Sequence, residues 1–241
     1  GEFVASWDDL IANGDIVLTD GAIYCENDTI EGALYISNDG VESIGDNAFN
    51  SCVSLRLVVI PVGITSIGES AFCGCASLIT VTIGNDVSII GNTAFMNCHN
   101  LESVTIGDNV TSIGTAVFRG TTNLAKLTVP FVGQVNSIDN DNTVEQNEVF
   151  GWIYGYKGTD NVNDNANYYI EPALKEVIIT SDVIVGPYAF ANADKIEKVT
   201  IPTTVTRLGN HAFYDSDALV TVILTDSLID PCNITDIEDY T

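Results

Sequence analysis

The chain has 241 residues, of which 46% are hydrophobic, 33 are acidic and 8 are basic, so its formal net charge is −25. The apolar content is sufficient for a folded core, whereas the negative charge repels nucleic acid phosphates and anionic lipid headgroups. No run of about 18 apolar residues is present, and we expect no segment of this chain to insert into a membrane. The N-terminus also has no basic segment followed by an apolar stretch, and we expect any secretory signal to have been removed ahead of it.

Residues 1–40 precede the regular part of the chain and are predicted to form an N-terminal cap. Residues 7–11 have the pattern of a short amphipathic helix, and residues 15–25 and 33–37 have the pattern of strands. A cap is needed because the first unit of a repeat array otherwise exposes a sheet edge and an open core.

From residue 41 onward, a phenylalanine recurs with a spacing of 23 residues. The spacing separates Phe49, Phe72, Phe95 and Phe118, and it returns between Phe190 and Phe213. The first three of these phenylalanines share one frame, Ile-Gly-x-x-Ala-Phe-x-x-Cys-x-x-Leu-x-x-Val-x-Ile, which is usually followed by Pro or Gly. Agreement at so many positions in successive units predicts a tandem structural repeat.

Each part of this unit has a physical reason. The Val-x-Ile end alternates β-branched and polar residues, as a half-buried strand does. Gly, Pro, Asn and Asp then turn the chain, and the Ala-Phe-x-x-Cys-x-x-Leu segment has the spacing of one helical or 3-10 turn. One unit cannot bury its apolar side alone, so we predict a solenoid with a parallel β-ladder on one face and short helical or 3-10 turns on the other.

The repeated frame resembles that of the BspA-like leucine-rich repeat family, over about residues 41–225. The resemblance implies a leucine-rich-repeat solenoid over residues 41–226 and a protein from a bacterial or protist cell surface. Two departures from the frame stand out: 72 residues separate Phe118 from Phe190, and Ser216 takes the place of the cysteine. Residues 227–241 are expected to form a C-terminal cap or to begin a linker.

One unit is enlarged by an insertion at about residues 131–172. Within it, residues 150–153 are placed at the Ala-Phe position of the frame. Trp152, Tyr154 and Tyr156, with two more tyrosines nearby, are candidates for stacking on a sugar or a peptide, because long excursions from a repeat commonly carry function. The alternative is that these rings cover the widened core.

Cys52, Cys75 and Cys98 occupy one repeat position, so we predict a column of buried thiols. Cys25 and Cys232 are expected near opposite ends of the solenoid and out of reach of each other. The chain shows no convergent ligand set for zinc and no EF-hand spacing in its acidic loops, and we predict no metal and no cofactor. His99 and His211 have no recognisable nucleophile partner in the sequence, so we expect no catalytic activity.

The outward strand positions carry a different charge from the rest of the chain. We count as outward the two residues after each repeat leucine and the residue between Val and Ile. The basic residues there are Arg56, Lys126, Lys175 and Lys198, and the acidic ones are Glu102, Glu176 and Glu197. We expect this face to be concave and nearly neutral on a strongly acidic molecule. It is either a binding surface or a set of cross-strand ion pairs.

These observations favour a secreted or cell-surface binding module, adhesin-like, that recognises a protein through the concave face. A carbohydrate-binding region built on the inserted aromatic residues is one alternative. A structural spacer within a larger surface protein is another. Nucleic acid is not an expected partner, because the chain is strongly acidic.

Overall fold

The structure is a computed structural model that describes residues 7–13, 15–25, 30–37, 40–134, 149–157, 165–182 and 184–224. It contains one α-helix and 16 strands in these residues, together with two short 3-10 helices, Phe150–Tyr154 and Asn165–Asn167. In chain order the helix and strands are α1 Trp7–Ala12, β1 Ile16–Thr19, β2 Ala22–Cys25, β3 Gly32–Tyr35, β4 Ser43–Ile44, β5 Leu55–Val59, β6 Ser66–Ile67, β7 Thr80–Ile83, β8 Ile89–Ile90, β9 Ser103–Ile106, β10 Ser112–Ile113, β11 Lys126–Val129, β12 Glu176–Ile179, β13 Ile184–Val185, β14 Lys198–Ile201, β15 Arg207–Leu208 and β16 Thr221–Leu224.

The main sheet, here called the long sheet, is the predicted parallel ladder. Its eight strands lie in the order β3, β5, β7, β9, β11, β12, β14, β16, and each neighbouring pair is parallel. The repeat positions stay in register, so Val81 lies beside Val104 and Ile83 beside Ile106. The strands therefore bury their Val and Ile side chains on one side and leave the intervening residues on the other, as in β9.

A second, shorter ladder runs beside the long sheet, and the sequence did not predict it. Two-residue strands at the Ile of each Ile-Gly pair stack in parallel as β4, β6, β8 and β10, and β13 pairs with β15 in the same way. A two-residue strand contains too few positions to show an alternating pattern. Hydrogen bonds from the neighbouring coil hold it in place, as from Gly91 N to Ile67 O at 2.8 Å.

The N-terminal segment starts both ladders. The predicted helix is present as α1, but residues 15–25 form a hairpin of β1 and β2 rather than one strand. Asp20 and Gly21 turn the hairpin with φ of 51° and 77°, which is the Asp-Gly preference of a tight two-residue hairpin turn. β2 then pairs with β4 of the short ladder, and β3 pairs with β5 of the long sheet.

The wall opposite the long sheet consists of short hydrogen-bonded turns, where the sequence predicted one helical or 3-10 turn in each unit. Backbone N–H groups alternate there between two kinds of acceptor. Phe95 N donates to Val117 O of the next coil at 3.0 Å, whereas Met96 N donates back to Thr93 O at 3.0 Å. Thr93 and Asn97 flank the turn with φ of 54° and 60°. The left-handed residues bend the chain tightly enough for half of its amides to reach the neighbouring coil.

The phenylalanines form a continuous stack through the interior, as the repeat predicts. The ring centroids of Phe49, Phe72 and Phe95 lie 5.1 and 5.2 Å apart with interplanar angles of 5° and 2°, and Phe118 follows at 5.9 Å. All four rings are fully buried. The centroid spacing is close to the strand spacing of about 4.8 Å, so one ring per coil fills the core.

The enlarged unit adds material to the turn wall without displacing a strand. β11 and β12 pair directly, with Lys126 beside Glu176. Between Phe118 and Phe190 the aromatic stack is continued by Tyr154, 6.4 Å from Phe118, and by Phe150, 5.2 Å from Phe190. The placement of residues 150–153 at the Ala-Phe position is confirmed, since Phe150 N donates to Ala189 O at 2.8 Å.

Candidate ligand-binding face of the long sheet

The outward side chains of the long sheet form three parallel rows, which together are called the long-sheet face. Backbone hydrogen bonds between successive coils place the residues of one row side by side, as from Glu102 N to Ile79 O at 2.9 Å. Row one is Arg56, Ile79, Glu102, Ala125, Lys175, Glu197 and Val220; row two is Leu57, Thr80, Ser103, Lys126, Glu176, Lys198 and Thr221; row three is Tyr35, Val59, Thr82, Thr105, Thr128, Ile178, Thr200 and Ile223.

All seven charged residues predicted for this face lie in rows one and two. Five of them, towards the C-terminal end, are joined in ion pairs. Glu176 accepts from Lys198 Nζ at 2.7 Å and lies 3.3 Å from Lys126 Nζ, while Lys175 Nζ lies 2.9 Å from Glu197. The cross-strand ion pairing considered from the sequence is therefore present in this half of the face.

Glu176 is the centre of this network because it is flanked by a lysine on each neighbouring strand. The hydrogen bond from Lys198 holds the pKa of the Glu176 carboxyl below its usual value, and Lys126 acts in the same direction. The side chains in the three pairs retain between 24% and 52% exposure. Water and salt screen pairs of this kind, so each contributes less than about 1 kcal/mol to stability.

The other two charged residues, Arg56 and Glu102, lie towards the N-terminal end and differ from the first five. Both are exposed, and within the residues that the structure describes neither side chain makes an ion pair or hydrogen bond. Around Arg56 the face is apolar, since Tyr35 is 50% exposed and Val59 is 36% exposed, whereas the outward residues next to Glu102 on β9 are Ser103 and Thr105.

The three aromatic residues proposed as a stacking surface lie on the turn wall and not on the long-sheet face. Tyr154 is completely buried and continues the phenylalanine stack, so it has no ring face for a ligand. Trp152 is half-buried, and its Nε1 donates to Ile113 O at 3.0 Å at the end of the short ladder. Tyr156 packs against Tyr168 with ring centroids 5.4 Å apart. These contacts support the alternative that the rings cover the widened core.

One aromatic ring near the insertion does remain partly exposed. Tyr169 is 37% exposed, and the Arg119 guanidinium carbon lies 3.9 Å above its ring centroid. This cation–π contact already covers one side of the ring. Tyr169 is one of the two nearby tyrosines that the sequence added to the stacking candidates, whereas Arg119 was not singled out.

The cysteine column is present and is longer than predicted. Cys52, Cys75 and Cys98 are buried, and Cys25 joins them, with its Sγ 3.9 Å from that of Cys52. Cys98 Sγ donates to Phe72 O of the preceding coil at 3.1 Å, and burial raises the pKa of this thiol. Cys232 lies outside the described residues.

Ser216 keeps the function of the cysteine that it replaces. Its Oγ donates to Phe190 O at 2.6 Å, 26 residues back along the chain, as Cys75 Sγ donates to Phe49 O at 3.1 Å. The position therefore selects a small side chain that donates a hydrogen bond to the preceding coil. This role explains why serine and cysteine exchange there.

The histidines and several acids make structural contacts in the turns. His99 Nδ1 lies 2.8 Å from Gly120 O, and the His211 ring stacks on Tyr188 at 5.1 Å. Asp46 accepts from Glu69 N at 2.7 Å, and Asp86 accepts from Gly63 N at 2.6 Å. Across the described ranges, no three His, Cys, Asp or Glu side chains are grouped so as to hold a metal ion.

These repeated structural features agree with the comparison to known families. The family described as "BspA type Leucine rich repeat region" matches in six copies, over residues 27–144 and 160–241. The chain belongs to this family. The family resemblance inferred from the repeated frame is thereby confirmed, and so is the leucine-rich-repeat solenoid. No curated protein sequence matches the chain.

Several solved structures are similar to this member of the BspA-type family. A leucine-rich repeat protein from T. pallidum is 18% identical, with a TM-score of 0.46, over 85% of this chain and 87% of that one. One from Eubacterium ventriosum is 19% identical, with a TM-score of 0.47, over 88% of this chain and 52% of that one. A leucine rich cell surface protein from Faecalibacterium prausnitzii is 21% identical, with a TM-score of 0.34, over 85% of this chain and 62% of that one.

Within the described ranges, none of the helices combines the length and the hydropathy required to cross a bilayer.

Proposed function

We propose that this protein is a secreted or cell-surface recognition module that binds a protein partner through the long-sheet face. The observation that carries the proposal is the charge of that face. Four basic and three acidic side chains leave it near neutrality, whereas the whole chain has a net charge of −25. A nearly neutral surface on a strongly acidic protein allows close approach of a partner without overall repulsion.

The geometry of the face supports the same function. Rows of side chains repeat with the strand spacing of about 4.8 Å, so many modest contacts can be made along one continuous surface. Membership of the BspA-type family is consistent with a surface protein, as the resemblance implied. We expect this face to bind its partner without catalysing a reaction.

A blocking variant with a matched control tests the proposal. Thr105→Arg places a long side chain in the middle of the long-sheet face, where Thr105 is exposed. Ile89→Arg places the same side chain at an outward position of the short ladder, where Ile89 is 50% exposed. Both variants, and the unchanged protein, would be immobilised and measured by surface plasmon resonance against a panel of purified extracellular matrix proteins and against a glycan array.

We expect at least one protein of the panel to bind, and Thr105→Arg to weaken that binding about tenfold or more, since a misfitting side chain at the centre of an interface prevents close packing. Ile89→Arg should leave it unchanged. Binding to glycans alone, or equal loss in both variants, would reject the proposal. A failure of every probe to bind would favour a structural spacer instead.

A further inference from the structure

The charged residues of the long-sheet face divide into two groups, one that forms ion pairs and one that does not. The five towards the C-terminal end satisfy one another through the pairs centred on Glu176 and Glu197. Arg56 and Glu102 have no such partner among the described residues. Paired charges are already compensated, so the unpaired ones are the charges left to interact with another molecule.

Arg56 and Glu102 lie two coils apart and form no ion pair with each other. Both belong to row one, and Ile79 lies between them, since Ile79 N donates to Arg56 O and Glu102 N donates to Ile79 O, each at 2.9 Å. Two strand spacings, about 10 Å, separate their backbones. The two opposite charges therefore stand apart on the surface.

The side chains around Arg56 are apolar, whereas Ser103 and Thr105 lie outward on the strand of Glu102. Leu57 and Val59 point outward from β5, and Tyr35 lies beside Val59 in row three. Outward positions of a sheet that faces only water are usually polar. Exposed tyrosine and arginine among aliphatic side chains are also the composition of binding hot spots. The N-terminal half of the face therefore offers apolar contact area beside Arg56, with Ile79 between this charge and the opposite charge of Glu102.

The chemistry of a matching ligand follows from this arrangement. A polyanion would satisfy Arg56 but would be repelled by Glu102 and by the acidic chain. A neutral glycan could hydrogen-bond to both side chains but carries no charge that complements either of them. A protein segment that carries an acid and a base on one face, with an apolar residue between them, satisfies both. In the polyproline II conformation, residues i and i+3 lie on one face about 9.3 Å apart, close to the separation of Arg56 and Glu102.

We propose that the N-terminal half of the long-sheet face binds an extended segment of a partner protein, with an acidic side chain on Arg56, a basic side chain on Glu102 and an apolar side chain over Ile79, Leu57 and Val59. This inference rests on the proposed function and specifies where on the face, and to what kind of segment, the protein binds.

Three synthetic peptides test the charge pattern. Each is a 12-residue proline-rich peptide with leucine between positions i and i+3, and these two positions carry Glu and Arg, Glu and Glu, or Arg and Arg. Binding is followed by NMR titration of the 241-residue chain at low ionic strength, because salt screens exposed charges. The Glu/Arg peptide should bind about fivefold more tightly than either of the others, and the shifted resonances should be those of Leu57, Val59 and Ile79.

Charge reversal supplies the decisive variants. Arg56→Glu should transfer the preference to the Arg/Arg peptide, and Glu102→Lys should transfer it to the Glu/Glu peptide. Lys195→Glu changes the net charge by the same amount as Arg56→Glu, at an exposed residue in the turn before β14, and should leave the preference of the unchanged protein intact. Thermal melting should be the same for all three, because exposed residues without a partner contribute little to stability.

The inference is overturned if the unchanged protein does not discriminate among the peptides, if Arg56→Glu retains the original preference, or if Lys195→Glu alters it equally. These results are separable from those that test the proposed function. If Thr105→Arg abolishes binding of a protein from the panel while Arg56→Glu and Glu102→Lys do not, the long-sheet face remains the binding surface and only the charge pattern is rejected.

Discussion

Replacing Gly91 by alanine should destabilise the solenoid strongly, although Gly91 has an ordinary backbone conformation. It is the glycine of the Ile-Gly pair in its unit, and its φ lies outside the left-handed region. A Cβ at this position would lie 2.5 Å from Glu69 N, 2.6 Å from Gly68 C and 2.9 Å from Glu69 Cα. All three atoms belong to the backbone of the preceding coil, which cannot move away as a flexible side chain would.

The size of the effect follows from that overlap. A methyl group needs about 3.5 Å to a non-bonded heavy atom, so the two coils must separate by nearly 1 Å at a point where Gly91 N donates to Ile67 O at 2.8 Å. Overpacking of a well-packed interior costs about 1–3 kcal/mol and occasionally more. Because the clash is with backbone, we expect about 3 kcal/mol or more, which lowers the Tm of a chain of this size by about 6–12 °C.

Gly84 provides the matched control seven residues away. Among the described residues, the one atom within 4 Å of a Cβ there is Ile60 O at 3.8 Å, which is an ordinary contact. Gly84→Ala should therefore match the unchanged protein or exceed its unfolding free energy by up to about 1 kcal/mol, because alanine reduces the entropy of the unfolded chain. Circular dichroism melts of both variants would check this. Equal Tm values for Gly91→Ala and the unchanged protein would refute the close approach of the coils.

Three further predictions follow from buried or paired groups. Burial and the charge of Glu171 raise the pKa of Tyr154. The contribution of the Tyr154 side chain to stability is therefore complete below the unfolded pKa of about 10 and falls by about 1.4 kcal/mol per pH unit above it. In urea denaturation, Tyr154→Phe should lose less stability than the unchanged protein between pH 9 and 11, and equal losses would contradict this. In a Cys232→Ser background, the half-buried Cys73 should react with a thiol reagent before the buried Cys98, because burial raises the pKa of the Cys98 thiol. Mass spectrometry of the labelled peptides would show the opposite order if the reagent could enter the cysteine column. Ion pairing lowers the pKa of Glu176. The contribution of this carboxylate to stability is therefore present above the unfolded pKa of about 4.3 and is lost as pH falls through the folded value. Glu176→Gln should lower the free energy of unfolding by less than about 1 kcal/mol at pH 7 and low salt, and a larger loss that persists in 1 M salt would show that the pairs are not screened.

The repeat alone was sufficient to predict the stacked phenylalanines and the parallel ladder. The sequence interval of 23 residues returns the chain to the same point of the next coil, so residues with the same position in the frame, such as Phe72 and Phe95, must be neighbours. Rows two and three lie two residues apart on each strand, so they follow from the alternation of strand side chains between two faces. Row one lies one residue before row two, and its alignment is instead given by the backbone hydrogen bonds between coils.

The features that the sequence did not predict depend on contacts between coils or on segments outside the frame. The short ladder consists of two-residue strands, which have no periodicity of their own. Cys25 precedes the first complete unit, so nothing in its spacing relates it to Cys52, yet their Sγ atoms lie 3.9 Å apart. Tyr154 lies in the insertion, where no repeated pattern distinguishes inward from outward residues. Its burial follows from the gap that the insertion leaves between Phe118 and Phe190.

The distinction between paired and unpaired charges on the long-sheet face has the same origin. The sequence places Lys126, Glu176 and Lys198 in one row. It also places Arg56 and Glu102 in one row, so the sequence alone does not distinguish the paired residues from the unpaired ones. What separates them is the number of coils between opposite charges. Glu176 has a lysine on each adjacent strand, whereas Ile79 stands between Arg56 and Glu102. A single intervening coil therefore leaves two exposed, hydrated charges that form no ion pair within the described part of the chain and are open to a partner.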